Sequence, residues 1–209
     1  MKIAVINETS AADRNADILA ALEGSEHTVL NVGMKKNFEN PELTYIHTGF
    51  LSALLLNLGR VDYVVGGCGT GQGFLGSVMQ YPGVICGLIA SPLDAWLFTQ
   101  INAGNCISLR LNQGYGWASN ENLKFIFEKL FGVEKGCGYP SYRQESQRQS
   151  LKTLCEVSQV THRDFKEILH ALPRSVVEPA VNYPGVVSLL DIEHIDDSEI
   201  AEILHSYII

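Results

Sequence analysis

Between Val61 and Gly73 the chain reads VDYVVGGCGTGQG, an apolar run that breaks into glycines alternating with other residues. No other stretch restricts the fold as much. Val61 to Val65 has the length and β-branched content of a strand buried on both faces. Phe74 to Met79 is apolar again, so the glycines read as a turn from a strand into a helix. Glycines at 67, 69, 71 and 73 permit positive φ and close backbone approach. Their amides, with the start of the next helix, can form an anion-binding nest. A thiol (Cys68), a hydroxyl (Thr70) and a backbone anion cradle therefore fall within residues 68–73.

The surrounding pattern alternates strand and helix. Strands are predicted over 2–6, 27–32, 61–66, 84–89 and 105–109. Helices are predicted over 13–23, 45–58, 93 to about 103, and 120–131, with a short one after the glycines. Thr44 is the expected cap of the second helix and Gly59 its stop. Ser91-Pro92 has the form of a cap followed by proline at the first helical position. This alternation implies a five-stranded parallel sheet with helices on both faces. Ligands on such sheets bind beyond the carboxyl ends of the strands. The Cys68 loop leaves that edge.

The character changes after Gly132. The predicted division is an α/β domain over 1–132 and a helical extension over 133–209. Gly136 to Pro140 reads as a linker, followed by polar helices over roughly 142–158, 161–171 and 196–207. Pro173, Pro179 and Pro184 interrupt the stretch between the last two. Few strong apolar faces appear there, so the extension is expected to pack on the core or on another subunit.

Composition removes several classes of function. A net charge of −8 and a pI near 5.2 lack the basic footprint of a nucleic-acid binder. No apolar run approaches the roughly 20 residues that span a bilayer. The apolar start, Lys2 to Ile6, is shorter than a signal-peptide core and reads as a first strand. Five scattered cysteines (68, 86, 106, 137, 155) suit reduced thiols in a cytoplasm. Neither CxxC nor HExxH occurs, so no metal site is expected.

The glycine loop is not a nucleotide motif. Its spacing is GxGxGxG, it follows the third strand, and no Gly-Lys-Ser/Thr is present. A cysteine at a tight turn can be only a small buried hydrophobe. The density of glycines around Cys68, with Thr70, favours chemistry instead. A thiolate beside amide donors can attack a carbonyl or take a proton from the adjacent carbon. Acyl transfer would require an activating histidine, and His47 and His27 are the histidines of the α/β part.

A set of features in order resembles the sugar-phosphate isomerases of the ribose-5-phosphate isomerase B and galactose-6-phosphate isomerase family. They are the N-terminal strand, Cys-Gly-Thr-Gly-x-Gly over 68–73, Pro82-Gly83 before the fourth strand, and Asn102 and Asn105 before the fifth. The resemblance covers residues 1–132, with an echo at Arg143 and Arg148. It implies a Rossmann-like three-layer α/β/α sandwich. It also implies a homodimer or homotetramer with sites shared between subunits, and aldose–ketose isomerisation of a sugar phosphate without metal or cofactor. By that resemblance Cys68 is the base that moves a proton between C1 and C2. Thr70 and the amides of Gly69, Gly71 and Gly73 hold the oxyanion. Asn102 binds sugar hydroxyls, and Arg143 and Arg148 hold the phosphate.

The chain departs from this pattern at Asn7-Glu8, where the family has Asp-His, and at Ile101-Asn102, where it has His-Asn. Met79-Gln80 replaces its Asn-Lys, and the tail is longer. Either Glu8 or His47 is then expected to stand in for the ring-opening histidine, or the substrate is presented open, with Asn7 and His47 among the substrate contacts. Arg110, after the fifth strand, is either a substrate anion contact or a salt-bridge partner. Cys86 and Cys106 lie in buried strands and are expected to be inert. Two alternatives stand beside the phosphorylated sugar: an unphosphorylated sugar, and a sugar-phosphate-binding protein without turnover.

Overall fold

The computed structural model describes all 209 residues. Five strands, β1 (Lys2–Ile6), β2 (Thr28–Asn31), β3 (Tyr63–Cys68), β4 (Cys86–Ile89) and β5 (Cys106–Arg110), form one parallel sheet in the order β2-β1-β3-β5-β4. The helices of the α/β part are α1 (Asn15–Leu22), α2 (Tyr45–Asn57), α3 (Gln72–Val78), α4 (Pro92–Leu97) and α5 (Ser119–Phe131). Those of the tail are α6 (Gln144–Thr161), α7 (Phe165–Ala171), α8 (Arg174–Val181), α9 (Val186–Leu190) and α10 (Ser198–His205). The expected Rossmann-like α/β/α sandwich is present, with helices continuing past it.

Alternation along the strands sorts the core. Ala4, Ile6, Val64, Cys68 and Cys106 face α2, α3 and the tail, while Ile3, Val5, Val65, Ile107 and Leu109 face α1, α4 and α5. The chain leaves β1 toward β2 and returns on the other side as β3. The carboxyl ends of β1 and β3 therefore flank the crevice where such sheets hold ligands.

Strand β3 runs two residues further than the sequence pattern predicts. Gly66, Gly67 and Cys68 pair with Ser108, Leu109 and Arg110, so the first glycines are strand rather than turn. Steric room explains them. A Cβ on Gly66 would lie 2.2 Å from the Phe74 ring, and one on Gly67 2.5 Å from the carbonyl oxygen of Leu109. Of the glycines in the loop only Gly71 has positive φ, +75°, where the backbone turns into α3. Positive φ at all of 67, 69, 71 and 73 is thus not what the loop needs.

Ser91 caps α4 as expected, accepting from the Asp94 amide at 3.2 Å with Pro92 at the first position. The helix does not continue regularly to 103. It passes into a π-helical turn, Phe98–Asn102, closed by Ala103 at φ 48°.

The prolines of the tail do not interrupt it as expected. Pro173 precedes α8 and Pro179 lies inside it, so a helix occupies that stretch, and α9 follows. Burial of Val177, Ala180 and Val181 against α2 outweighs the missing backbone bond. Phe165, Leu169, Val186, Leu190, Ile203, Leu204 and Tyr207 join the same cluster as Phe50 and Leu54 of α2. Helix α6 differs: none of its residues is buried, and Leu154, Val157 and Val160 are exposed. No helix is long and apolar enough to cross a membrane.

Candidate active site

Three loops meet at the carboxyl edge of the sheet, after β1, β3 and β5, and hydrogen bonds fix them to one another. The Ser10 hydroxyl accepts from the Gly69 amide at 2.9 Å. The Asn112 side chain donates to the Ser10 carbonyl, and the Gly69 carbonyl accepts from the amides of Asn112 (3.0 Å) and Gln113 (2.8 Å). The Cys68 carbonyl accepts from Leu111 at 3.1 Å and from Gly71 at 3.2 Å. The platform that carries Cys68 is therefore rigid on both sides.

Cys68 ends β3 and is 5 % exposed, with its Sγ 4.0 Å from the hydroxyl oxygen of Thr70. Thr70 is exposed, and its oxygen accepts from the Gln72 amide at 3.3 Å, a short side-chain turn that aims it. Two of the three glycine amides assigned to an oxyanion are already engaged, Gly69 by Ser10 and Gly71 by Cys68. Only the Gly73 amide has no acceptor in the chain. Gly73 also brings the backbone close under the Tyr45 ring, whose atoms lie 3.0 Å from an ideal Cβ there.

Glu8 is 2 % exposed at the end of β1. Its Oε1 accepts from the amide of Ser10 at 3.1 Å and from the Ser10 hydroxyl. Burial raises its pKa above the ordinary carboxylate value of 4.5, the Ser10 hydrogen bonds oppose the rise, and the charge of Glu42 adds to it. Ser10 thus joins a buried carboxyl of raised pKa to the residue that follows Cys68. Asn7, fully buried, donates from Nδ2 to the Ala11 carbonyl at 3.3 Å, while its Oδ1 has no partner. An orphaned buried acceptor costs about 1–3 kcal/mol unless a ligand or water meets it.

His47 stands apart from this group. Its Nδ1 accepts from the Thr44 amide at 3.0 Å, closing a capping box at the start of α2. Its Nε2 bonds the Ser175 carbonyl at 3.0 Å. Both ring nitrogens are engaged, so in this structure His47 caps α2 and tethers it to α8. Ser10 and Asn112 were not singled out from the sequence. The Glu8-x-Ser10 spacing, typical of side-chain-to-backbone turns, is the one signal for Ser10. Asn112 joins only through folding, from more than a hundred residues away.

The remaining expected residues lie at the opposite edge of the same sheet. Asn102 is exposed at the end of the π-helical turn, just before β5. Cys106 pairs with Val64 and Arg110 with Cys68, so about 13 Å of strand separates the two edges. Arg143 and Arg148 are exposed at the start of α6, which packs against that same turn, and Arg148 lies 3.9 Å from Glu145. One chain therefore brings together Asn7, Glu8, Cys68, Gly69, Thr70, Gly71 and Gly73, and holds Asn102, Arg143 and Arg148 elsewhere. Cys106 faces Cys86 across β5 and β4, and burial pushes its thiol well above the usual range. It is an unreactive core thiol.

The chain is similar to known proteins. The sequence model of the Ribose/Galactose Isomerase family matches residues 3–135. A ribose-5-phosphate isomerase from Vibrio parahaemolyticus is 42% identical over 100% of this chain and 99% of its own, with a TM-score of 0.93. A 4-deoxy-L-threo-5-hexosulose-uronate ketol-isomerase, solved with a tartrate, is 36% identical over 99% of both chains, with a TM-score of 0.92. A ribose 5-phosphate isomerase from Thermotoga maritima, 18% identical, shares the fold over 74% of this chain at a TM-score of 0.60. No curated protein matches the sequence. The Cys68 loop at the sheet's carboxyl edge, the family match over the α/β part and full-length likeness to two sugar isomerases agree, and the chain belongs, as a divergent member, to the ribose/galactose isomerase family of enzymes that interconvert aldose and ketose sugars.

Proposed function

We propose that the chain isomerises a small phosphorylated sugar, a pentose or hexose phosphate, by moving one proton between C1 and C2 through an enediolate. The observation that carries this reading is Cys68 at the end of β3, 4.0 Å from Thr70 and fixed in place from both neighbouring strands. The Cys68 thiolate takes the proton from C2 of the open aldose, and the electron pair moves onto O1. Thr70 and the Gly73 amide meet the developing oxyanion. Glu8, which burial keeps inclined to hold its proton, carries a proton from O2 to O1. The Cys68 thiol then returns its proton to C1, giving the ketose. The scheme calls for no metal or cofactor.

The division of residues between the two sheet edges supports a homodimer or homotetramer with composite sites. In that assembly Asn102, Arg143 and Arg148 of one copy face the Cys68 loop of another. The unburied helix α6, with Leu154, Val157 and Val160 exposed, is the element that supports such a contact. Residence in the cytoplasm fits five cysteines, none of them paired.

A second reading, an unphosphorylated sugar acid, rests on one observation. The uronate ketol-isomerase matches the chain end to end, tail included. Turnover of a panel of pentose phosphates, hexose phosphates and hexuronates, followed by proton NMR, separates the readings. Conversion of a phosphate alone supports the first and of a uronate alone the second. Tight binding of a linear sugar phosphate with no turnover of any panel member contradicts both.

A further inference from the structure

Three buried side-chain atoms in the chain have no hydrogen-bond partner: Asn7 Oδ1, His27 Nδ1 and Arg110 Nε. Two of the three flank Cys68. Asn7 follows β1 on one side of β3, and Arg110 ends β5 on the other. With neighbouring strands about 4.8 Å apart, these two positions span roughly 10 Å across the strand that carries the thiol.

Arg110 pairs directly with Cys68 across β3 and β5, and residues opposed in this way project from the same face of the sheet. The neighbouring pairs agree: Val64 and Cys106 share one core, and the Ser108 hydroxyl donates to the Gly71 carbonyl at 2.6 Å. The stem of Arg110 lies along the glycine loop, its Cγ 3.3 Å from where a Cβ on Gly71 would stand. No carboxylate lies within 4.0 Å of its guanidinium, whereas Arg14, Arg148 and Arg174 each have one. Arg60 is likewise satisfied, by the carbonyls of Leu190, Asp191 and His194. A structural arginine at this depth would be expected to show such partners.

We propose that Arg110 anchors the anionic group of the substrate in the same chain as the Cys68 that acts on it, with Asn7 Oδ1 accepting from a sugar hydroxyl on the far side of the thiol. The proposal rests on the isomerase reading and narrows it: the ligand is a short polyol that carries a phosphate or a carboxylate. Both anions offer the paired oxygens that a guanidinium fork recognises. Arg110 is then a specificity-determining residue separate from Arg143 and Arg148.

Calorimetry with tartrate, glycerol 3-phosphate and the neutral tetritol threitol tests it. Wild type is expected to bind at least one of the two anions and to prefer it to threitol. Arg110→Gln is expected to weaken that anion at least roughly tenfold and to leave threitol unchanged, with Arg110→Lys in between. An unchanged melting temperature for Arg110→Lys guards against a folding artefact. Preference for tartrate assigns a carboxylate, and preference for glycerol 3-phosphate a phosphate. Equal anion binding by wild type and Arg110→Gln, or no anion binding by wild type, overturns the proposal. Arg110-dependent binding without turnover of any sugar leaves the anchor standing and sinks the isomerase scheme instead.

Discussion

The imidazole of His47 bonds through Nε2 to the carbonyl of Ser175, 3.0 Å away and 128 residues later in the chain. That carbonyl is the one Pro179, four residues on in α8, cannot reach, because proline has no N–H. The same ring accepts the Thr44 amide on Nδ1, so the bonded tautomer is the neutral ring protonated at Nε2. One side chain thus caps α2 and repairs α8.

Replacing His47 with alanine leaves a helix-cap donor and a helical carbonyl unmatched. The expected cost is about 1–3 kcal/mol in urea denaturation, with kcat/KM of the folded fraction within about twofold of wild type. Glutamine, the usual partner in a capping box, is expected to recover part of the loss. A large fall in kcat/KM without loss of stability would return His47 to the substrate site.

Glu8 makes stability depend on pH in a definite sense. Its pKa is raised on folding, so the folded protein holds this proton more tightly than the unfolded chain does. Its contribution favours folding below the ordinary carboxylate value of 4.5 and is lost as pH rises from there through the folded value. Glu8→Gln is expected to remove that dependence and to stabilise the protein at pH 7, while lowering kcat by roughly 10²–10⁴. Melting curves across this window, set beside initial rates, check both halves.

The glycines divide into those that are sterically required and those that are not. Gly66→Ala drives a methyl into the Phe74 ring at 2.2 Å and is expected to destabilise by about 3 kcal/mol or prevent folding. Gly76 lies in α3 with nothing within 4 Å of an added Cβ. Gly76→Ala is expected to gain about 0.5–1 kcal/mol through helix propensity and a less flexible unfolded chain. Thermal melts of the two variants should move in opposite directions.

The proposal that sites are shared between subunits is open to a complementation experiment. Cys68→Ala and Asn102→Ala are each expected to be nearly inactive alone. Unfolded together and refolded, they should recover roughly a quarter of wild-type activity, because half of the sites in a mixed dimer carry both native residues and half of random pairings are mixed. Activity that stays at the level of the single variants would mean that Asn102 serves the Cys68 of its own chain and that the sites are not shared between subunits. Leu154→Asp and Val157→Asp on α6 should reduce both association, read by ultracentrifugation, and turnover.

The chain disclosed its sheet because the strands are apolar runs and the helices between them start with recognisable caps, as at Ser91-Pro92. It disclosed the Cys68 loop because glycine, cysteine and threonine are informative residue types there. It did not disclose the strand order, since β4 at the edge and β5 inside differ little in composition. Nor did it reveal α8, because proline reads as a breaker until the burial around Val177 and Ala180 is known. The placing of Glu8 and Asn7 near the Cys68 loop was legible from their position after β1. The engagement of the Gly69 and Gly71 amides was not, because it depends on Ser10 and on turn geometry. The separation of Asn102 from Cys68 follows from a parallel sheet having two edges, which no motif encodes.

The central claim is that Cys68 moves the carbon-bound proton. The direct measurement is NMR of the sugar that the enzyme turns over, in deuterium oxide, following exchange of the C2 proton in wild type, Cys68→Ser and Cys68→Ala. Exchange is expected in wild type, with a fall of at least roughly 10³ in both variants and substrate binding retained. Exchange by Cys68→Ala at the wild-type rate would contradict it and assign the base to another residue.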